Sequence, residues 1–90
     1  MNERRRVSYR GNVQGVGFRA TAKGVARGWP VSGWVRNEAD GTVTLEVQGE
    51  GSAVDGMLGD LRRRMAGHIR QEAAIVIGVK EGEEEFRIER

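Results

Sequence analysis

Residues 6–19 read Arg-Val-Ser-Tyr-Arg-Gly-Asn-Val-Gln-Gly-Val-Gly-Phe-Arg, and they join a strand pattern to a helix pattern through glycines. Val7 and Tyr9 alternate with polar residues at the period of a half-buried strand, which predicts a β-strand over about residues 6–10. From Phe18 onward, apolar residues recur at helical spacing and predict a helix over about residues 18–27. Gly28 and Pro30 follow, and both are typical of a helix end. This stretch is therefore a strand, a glycine-rich loop and a helix.

The rest of the chain supplies a hairpin, a second helix and two more strands. Alternating residues predict strands over about residues 31–36 and 42–48. Asp40-Gly41 between them is a hairpin turn signal, because glycine accepts the positive φ that such turns require. A helix is predicted from Ser52, whose hydroxyl would cap the first turn in a capping box with Asp55. Strands are predicted over about residues 72–79 and 85–89.

The predicted order is strand, helix, strand, strand, helix, strand, with one extra terminal strand. This order is the split βαβ or ferredoxin-like arrangement, an α+β sandwich whose antiparallel sheet carries both helices on one face. Ninety residues suit one domain, so residues 1–90 are expected to form a single domain. The chain has no cysteine, so no disulfide supports its small core.

The charge balance of the chain favours a small anionic ligand. There are 15 basic and 13 acidic residues, and the resulting mild positive field attracts anions without requiring nucleic acid. No apolar run of signal-peptide length follows the first residues, and no segment approaches the roughly 20 apolar residues that span a bilayer. We therefore expect a cytoplasmic protein with no membrane partner.

The loop between the first strand and the first helix has the features of an anion site. Backbone amides at a helix N-terminus converge on an anion, and glycines let the backbone approach it closely. Arg19 in the first helical turn offers a planar fork that matches two phosphate oxygens. The loop is neither a Walker A motif nor a dinucleotide fingerprint. From the residues alone, an anion site and a tight turn with a surface arginine both remain open.

Two motifs resemble the signatures of the acylphosphatase family. Residues 11–19 are similar to the first signature, and Gly33-Trp34-Val35-Arg36-Asn37 with residues 40–43 is similar to the second. The motifs stand in the order and spacing of the family, and the resemblance extends over nearly the whole chain to the Phe86-x-Ile88 ending. It implies a phosphate-binding loop in an enzyme that hydrolyses the carboxyl–phosphate bond of small acyl phosphates, giving a carboxylate and inorganic phosphate.

The resemblance also implies the roles of particular residues. Arg19 matches the phosphate-binding arginine of the family, and Asn37 matches the asparagine that orients the attacking water. The backbone amides that match the phosphate cradle belong to Gln14, Gly15, Val16, Gly17 and Phe18. The family implies no cofactor and no metal. The residues agree, because cysteine is absent and His68 is the only histidine. Inorganic phosphate is expected to inhibit as the product, and a monomer is the default for this size.

Some positions depart from the family or admit a second explanation. Asn12 stands where many relatives carry a basic residue, which could weaken phosphate affinity. The run from Trp29 to Ser32 replaces the usual leucine-glycine run, so we expect a local change at the helix end with Trp29 packed on the core. His68 is expected to be a surface or capping residue. An asparagine before a hairpin turn usually serves turn geometry, so from the residues alone Asn37 could be a turn residue.

A ferredoxin-like chain can also belong to two other classes of function. A ferredoxin-like sheet can bind RNA through exposed aromatic residues, but aromatics make up only 6% of this chain and no RNP-like strand is present. No nucleic-acid partner is therefore expected. A phosphate-binding regulatory domain without turnover, or a domain of a larger maturation protein that handles carbamoyl phosphate, is the remaining alternative. The physiological acyl phosphate is left open by the sequence.

Overall fold

The computed structural model describes residues 1–90 as a five-stranded sheet with two helices. The strands are β1 (Asn2–Gly11), β2 (Ser32–Asn37), β3 (Val43–Glu50), β4 (Ile69–Ile77) and β5 (Phe86–Ile88). The helices are α1 (Phe18–Ala26) and α2 (Gly51–Arg64). The strands lie side by side in the order β4-β1-β3-β2-β5. Neither helix is long and apolar enough to cross a membrane.

Four of the five strands form the antiparallel sheet that the sequence predicts. β1 pairs antiparallel with both β3 and β4, and β3 pairs antiparallel with β2. The two helices pack against each other as well as against the sheet, so both lie on one face of it. The ferredoxin-like fold is therefore confirmed. The extra strand β5 pairs parallel with β2, which makes the sheet mixed rather than wholly antiparallel.

The core lies between the helices and one face of the sheet. Alternate residues of β1 and β3 point into it, which explains the period-two pattern of both strands. The aromatic rings of Tyr9 and Phe18 meet in this core with their centroids 4.9 Å apart. The core strand residues, all fully buried, are Val7, Tyr9, Val35, Val43, Leu45 and Val47.

Helix α2 begins without the predicted side-chain cap. It starts at Gly51, directly after β3, and no side chain caps its first turn, so the predicted Ser52 cap is wrong. Trp29 packs against the core as predicted, and its indole Nε1 donates a 2.8 Å hydrogen bond to an oxygen of Asp60 on α2. A Cβ at Gly56 would collide with the Trp29 ring, so glycine is required there.

The connection between β4 and β5, residues 78–85, crosses the sheet on the face opposite the helices. Arg4 of β1 holds it there, because its guanidinium donates to the Glu46 carboxylate at 2.7 Å and to both oxygens of Glu83. The side-chain amide of Gln48 exchanges hydrogen bonds with the backbone of Lys80 at 2.9 and 2.7 Å. We call this segment the crossing segment. It carries the chain from β4 at one edge of the sheet to β5 at the opposite edge.

Candidate active site

The loop of residues 12–17 enters α1 through two glycines with left-handed backbone conformations. Gly15 has φ of 75° and Gly17, the residue before the helix, has φ of 78°. Residues other than glycine rarely adopt this region of backbone conformation, so glycine suits both positions. No side chain caps the start of α1. The turn therefore presents a helix N-terminus that is not covered by a polar side chain.

The backbone amides of this loop are unused within the protein. None of the amides of residues 14–18 donates a hydrogen bond to another backbone carbonyl. The loop is held in place instead by its apolar residues, because Val13 and Phe18 are buried and Val16 packs against the core. Five free donors on a rigid loop at a helix N-terminus form an arrangement that favours an anion, since the helix dipole adds its partial positive charge.

Arg19 follows in the first turn of α1 and adds a full positive charge. Its side chain is partly buried, and no carboxylate lies within ion-pair distance of it. The guanidinium is therefore available to a ligand rather than neutralised by the protein. A planar guanidinium can donate two parallel hydrogen bonds to a phosphoryl group.

Asn37 is the last residue of β2, opposite Val43 of β3. Its side-chain carbonyl oxygen, Oδ1, is buried and has no hydrogen-bond partner in the protein. The turn that follows is stabilised by Asp40 instead, whose Oδ1 accepts from the backbone amide of Thr42 at 3.0 Å and from its hydroxyl at 2.6 Å. The Asn37 side chain therefore makes no hydrogen bond to this turn, and its Oδ1 is left without a partner in the protein.

Arg19 and Asn37 meet in one cavity of about 190 Å³ beside the glycine loop. Its wall combines loop residues, the first turn of α1 and the ends of β2 and β5. Gln14 and Val16 do not line it. The lining residues are Val13, Gly15, Gly17, Phe18, Arg19, Ala20, Asn37, Ile88 and Arg90. The volume is below the range of about 300–1,000 Å³ typical of drug-sized ligands, which indicates a small ligand.

The carboxylates nearest the site in sequence are occupied by their own hydrogen bonds. Bonds from Thr44 and Arg36 lower the pKa of Glu38, and bonds from Thr42 lower the pKa of Asp40. Both groups therefore stay ionised at neutral pH and are weak proton acceptors. Neither of them lines the cavity. The described residues contain no cluster of three or more histidine, cysteine or acidic side chains that could hold a metal ion.

The sequence model of the acylphosphatase family matches residues 5–88. The chain belongs to the acylphosphatase family. An acylphosphatase from Rhizobium etli is 50% identical over 66 residues, which cover 73% of this chain and 70% of that protein. The crystal structure of an acylphosphatase from Bacillus subtilis is 25% identical, covers all of both chains and has a TM-score of 0.86.

A third comparison finds the same fold inside a much larger protein. The crystal structure of full-length HypF in its phosphate- and nucleotide-bound form is 26% identical and has a TM-score of 0.85. The match covers all of this chain but only 12% of that one. The fold of this family therefore occurs as a segment of a longer chain as well as in chains of this size.

Family membership and the fold confirm the resemblance drawn from the two motifs, whereas the roles of individual residues stay predictions. His68 lies outside the cavity and is half-buried, and its surface or capping role stays a prediction. The motifs gave no indication that Ile88 and Arg90 line the site. They reach it through the parallel pairing of β5, which aligns Ile88 with Val35.

Proposed function

We propose that this chain is an enzyme that hydrolyses the carboxyl–phosphate bond of small acyl phosphates to a carboxylate and inorganic phosphate. Its membership of the acylphosphatase family supports this reaction class. The observation that carries the proposal is the cavity in which an unpaired arginine, an unpartnered asparagine oxygen and a loop of free amides adjoin each other.

In the proposed mechanism, the phosphoryl group binds at the start of α1. Its oxygens accept hydrogen bonds from the guanidinium of Arg19 and from the backbone amides of the loop. The amides assigned to this cradle are those of Gln14, Gly15, Val16, Gly17 and Phe18. These donors gain strength as negative charge develops on the equatorial oxygens in the transition state, which lowers the barrier.

The attacking water is held by Asn37 in this mechanism. The free Oδ1 accepts a hydrogen bond from the water, which directs an oxygen lone pair at the phosphorus in line with the leaving group. The new bond joins the water oxygen to phosphorus, the bond between phosphorus and the acyl oxygen breaks, and the departing carboxylate takes that electron pair. A phosphoryl oxygen accepts the water proton, and a carboxylate is a leaving group of low basicity. Positioning and charge stabilisation therefore supply most of the catalysis.

The proposal also covers the domain organisation, the oligomeric state, the location and the cofactor requirement of the enzyme. We propose that residues 1–90 act as one domain, as a monomer and in the cytoplasm, with no cofactor. The small cavity supports a compact acyl group, and inorganic phosphate is expected to inhibit because it fits the same cradle. The HypF comparison supports the alternative that the same site works as part of a longer protein.

The experiment that tests the proposal follows hydrolysis of benzoyl phosphate in the presence of a chelator by the parent, Arg19→Ala and Asn37→Ala. The parent is expected to turn over without metal. Each substitution is expected to lower the rate on the order of 100-fold or more, as for the loss of one transition-state donor. Arg19→Ala should also weaken inhibition by inorganic phosphate.

Two outcomes would count against the proposal in different ways. Absence of turnover by a folded parent would remove the hydrolase function and favour a phosphate-binding module. Turnover that persists unchanged in Arg19→Ala would leave the reaction in place and show that the assigned site is wrong.

A further inference from the structure

The side chain of Gln14 bridges the phosphate loop and the hairpin that follows Asn37. Its amide nitrogen, Nε2, donates to the backbone carbonyl of Glu38 at 2.8 Å and to that of Thr42 at 2.9 Å. Both protons of the side-chain amide are therefore used. These are the two hydrogen bonds that join residues 12–17 to residues 37–42 in the structure.

The two carbonyls that accept from Gln14 belong to a turn that is already closed on itself. The amide of Glu38 donates to the carbonyl of Thr42 at 2.8 Å, and the amide of Gly41 donates to the carbonyl of Glu38 at 3.2 Å. Asp40 adds its bonds to Thr42. Since the turn is held by its own bonds, it provides a fixed support, and Asn37 stands directly before it.

The other end of the bridge lies in the phosphate loop, which is buried on one side of Gln14 and exposed on the other. Val13, on one side of Gln14, is buried in the core, and Gly15, on the other side, lines the cavity. The side chain of Gln14 points away from the cavity to the hairpin, while its backbone belongs to the phosphate loop. A change in the side chain would therefore leave the backbone donors present.

From this geometry we infer that Gln14 is a positioning residue, whose side chain sets the distance between the phosphate cradle and Asn37. The inference rests on the proposed function, because it concerns the alignment of the bound phosphoryl group with the water on Asn37. Misplacement of reacting groups by about 1 Å can cost on the order of 100-fold in rate. Gln14 should therefore act on the chemical step more than on phosphate affinity.

Few side chains can replace Gln14 in this role. Methionine has a similar length but no donor, and asparagine has the donors but is one methylene shorter. Glutamate is close in shape, but it has no donor while ionised and would face two carbonyl oxygens with a negative charge. Among neutral side chains, only the primary amide of glutamine supplies two N–H groups to two carbonyls at this reach.

The test compares Gln14→Met with Gln48→Met as a matched control. Gln48 also bridges distant segments through its side-chain amide, but it does so at the other end of β3, beside Lys80. For Gln14→Met we expect kcat on benzoyl phosphate to fall roughly 10- to 100-fold, with the inhibition constant of inorganic phosphate changed less than about threefold. Gln48→Met should keep kcat within about twofold, although urea unfolding should show both variants to be destabilised.

A double-mutant cycle with Asn37→Ala separates positioning from a structural role. If Gln14 acts through Asn37, then Gln14→Met should lower kcat little further once Asn37 is already alanine. Full additivity of the two losses, or an unchanged kcat in Gln14→Met, would overturn the inference while parent turnover keeps the proposed function intact. Absence of turnover by the folded parent would overturn both.

Gln14→Glu provides a second variant should Gln14→Met fail to fold. A protonated carboxyl can donate to one of the two carbonyls, whereas the carboxylate repels both. Activity relative to the parent should therefore rise as the pH falls through the pKa of the new carboxyl. A ratio of activities that does not vary with pH would contradict the positioning role.

Discussion

The side-chain oxygen of Asn37 carries a cost in folding stability that is unusual for a small protein. Its Oδ1 is buried without a partner, although most buried polar atoms in native proteins are hydrogen-bonded. An orphaned acceptor of this kind costs about 1–3 kcal/mol of stability. Asn37 lines the cavity, and in the proposed mechanism the attacking water would satisfy this atom.

Asn37→Asp and Asn37→Ala are expected to fail in different ways. An aspartate there places a negative charge in a cavity that has to accept a phosphoryl anion, so inhibition by inorganic phosphate should weaken at least 10-fold at pH 7. Alanine removes only the water acceptor, so kcat should fall while phosphate inhibition stays within about threefold.

Titration of each Asn37 variant with inorganic phosphate, in the presence of benzoyl phosphate, measures both quantities. Equal phosphate affinity in the two variants would show that position 37 does not face the bound anion.

At the residue level, the motifs predict site residues but not the contacts that support them. Arg19 and Asn37 were found from their signatures, and both line the cavity. Gln14 was predicted only for its backbone amide, because the carbonyls that its side chain contacts lie 24 and 28 residues further along the chain. A single sequence carries no signal for such a contact, since any exposed turn offers carbonyls.

Helix α2 shows how tertiary packing overrides helix propensity. Glycine in a helix costs about 1 kcal/mol relative to alanine, so both Gly56 and Gly59 should weaken α2. Gly56, however, gives space to the Trp29 ring, whereas the nearest atom to a Cβ at Gly59 would be an Arg63 nitrogen 3.6 Å away. The same substitution should therefore have opposite effects at the two positions.

Gly59→Ala is expected to raise the free energy of unfolding by about 0.5–1 kcal/mol, as helix propensity alone requires. Gly56→Ala is expected to lower it by about 1–3 kcal/mol, because the new methyl group displaces the Trp29 ring. Urea unfolding followed by tryptophan fluorescence measures both changes. A stabilised Gly56→Ala would mean that Trp29 can move aside freely.

The observed boundaries of β1 and β4 differ from the predicted ones, because pairing with neighbouring strands extends both strands. β1 begins at Asn2 rather than near residue 6. Glu3 and Arg5 are charged where the alternation would require apolar residues, yet the strand continues because it pairs with β3 as far as Asn2. β4 begins at Ile69 rather than near residue 72, because it pairs with β1 as far as Gly11. Partner strands set these limits, and hydropathy along one strand does not contain that information.

In the molecule as a whole, the most deeply buried charge belongs to Arg4, which is 1% exposed. Burial alone would raise the pKa values of Glu46 and Glu83, but hydrogen bonds and charge attraction from Arg4 lower both below their ordinary value of 4.5. A carboxyl with a lowered pKa stabilises the fold above its unfolded pKa and loses that contribution as the pH falls through the folded value. Stability should therefore decline below about pH 4.5.

Arg4→Met is expected to lower the free energy of unfolding at pH 7 by about 3–5 kcal/mol, because it leaves two carboxylates buried without their shared cation. Without Arg4 the pKa of Glu83 should rise, so the loss of stability between pH 7 and pH 4 should become smaller than in the parent. Urea unfolding at the two pH values measures this.

Arg87→Met serves as the control for Arg4→Met, because it removes an exposed ion pair with Glu89. Its effect should stay below about 1 kcal/mol at both pH values. An Arg4→Met protein as stable as Arg87→Met at pH 7 would contradict the assigned importance of the buried cluster.

The bond between Arg4 and Glu83 also bears on how the chain reaches its fold. The two residues are 79 positions apart, and β5 likewise pairs with a strand more than 50 residues earlier. Contacts of such long range slow folding, since the entropy of loop closure is lost before the contact forms. During synthesis from the N-terminus, Arg4 emerges 79 residues before Glu83. The nascent chain therefore cannot bury this charge, or bring Ile88 and Arg90 to the site, until the crossing segment and β5 have left the ribosome.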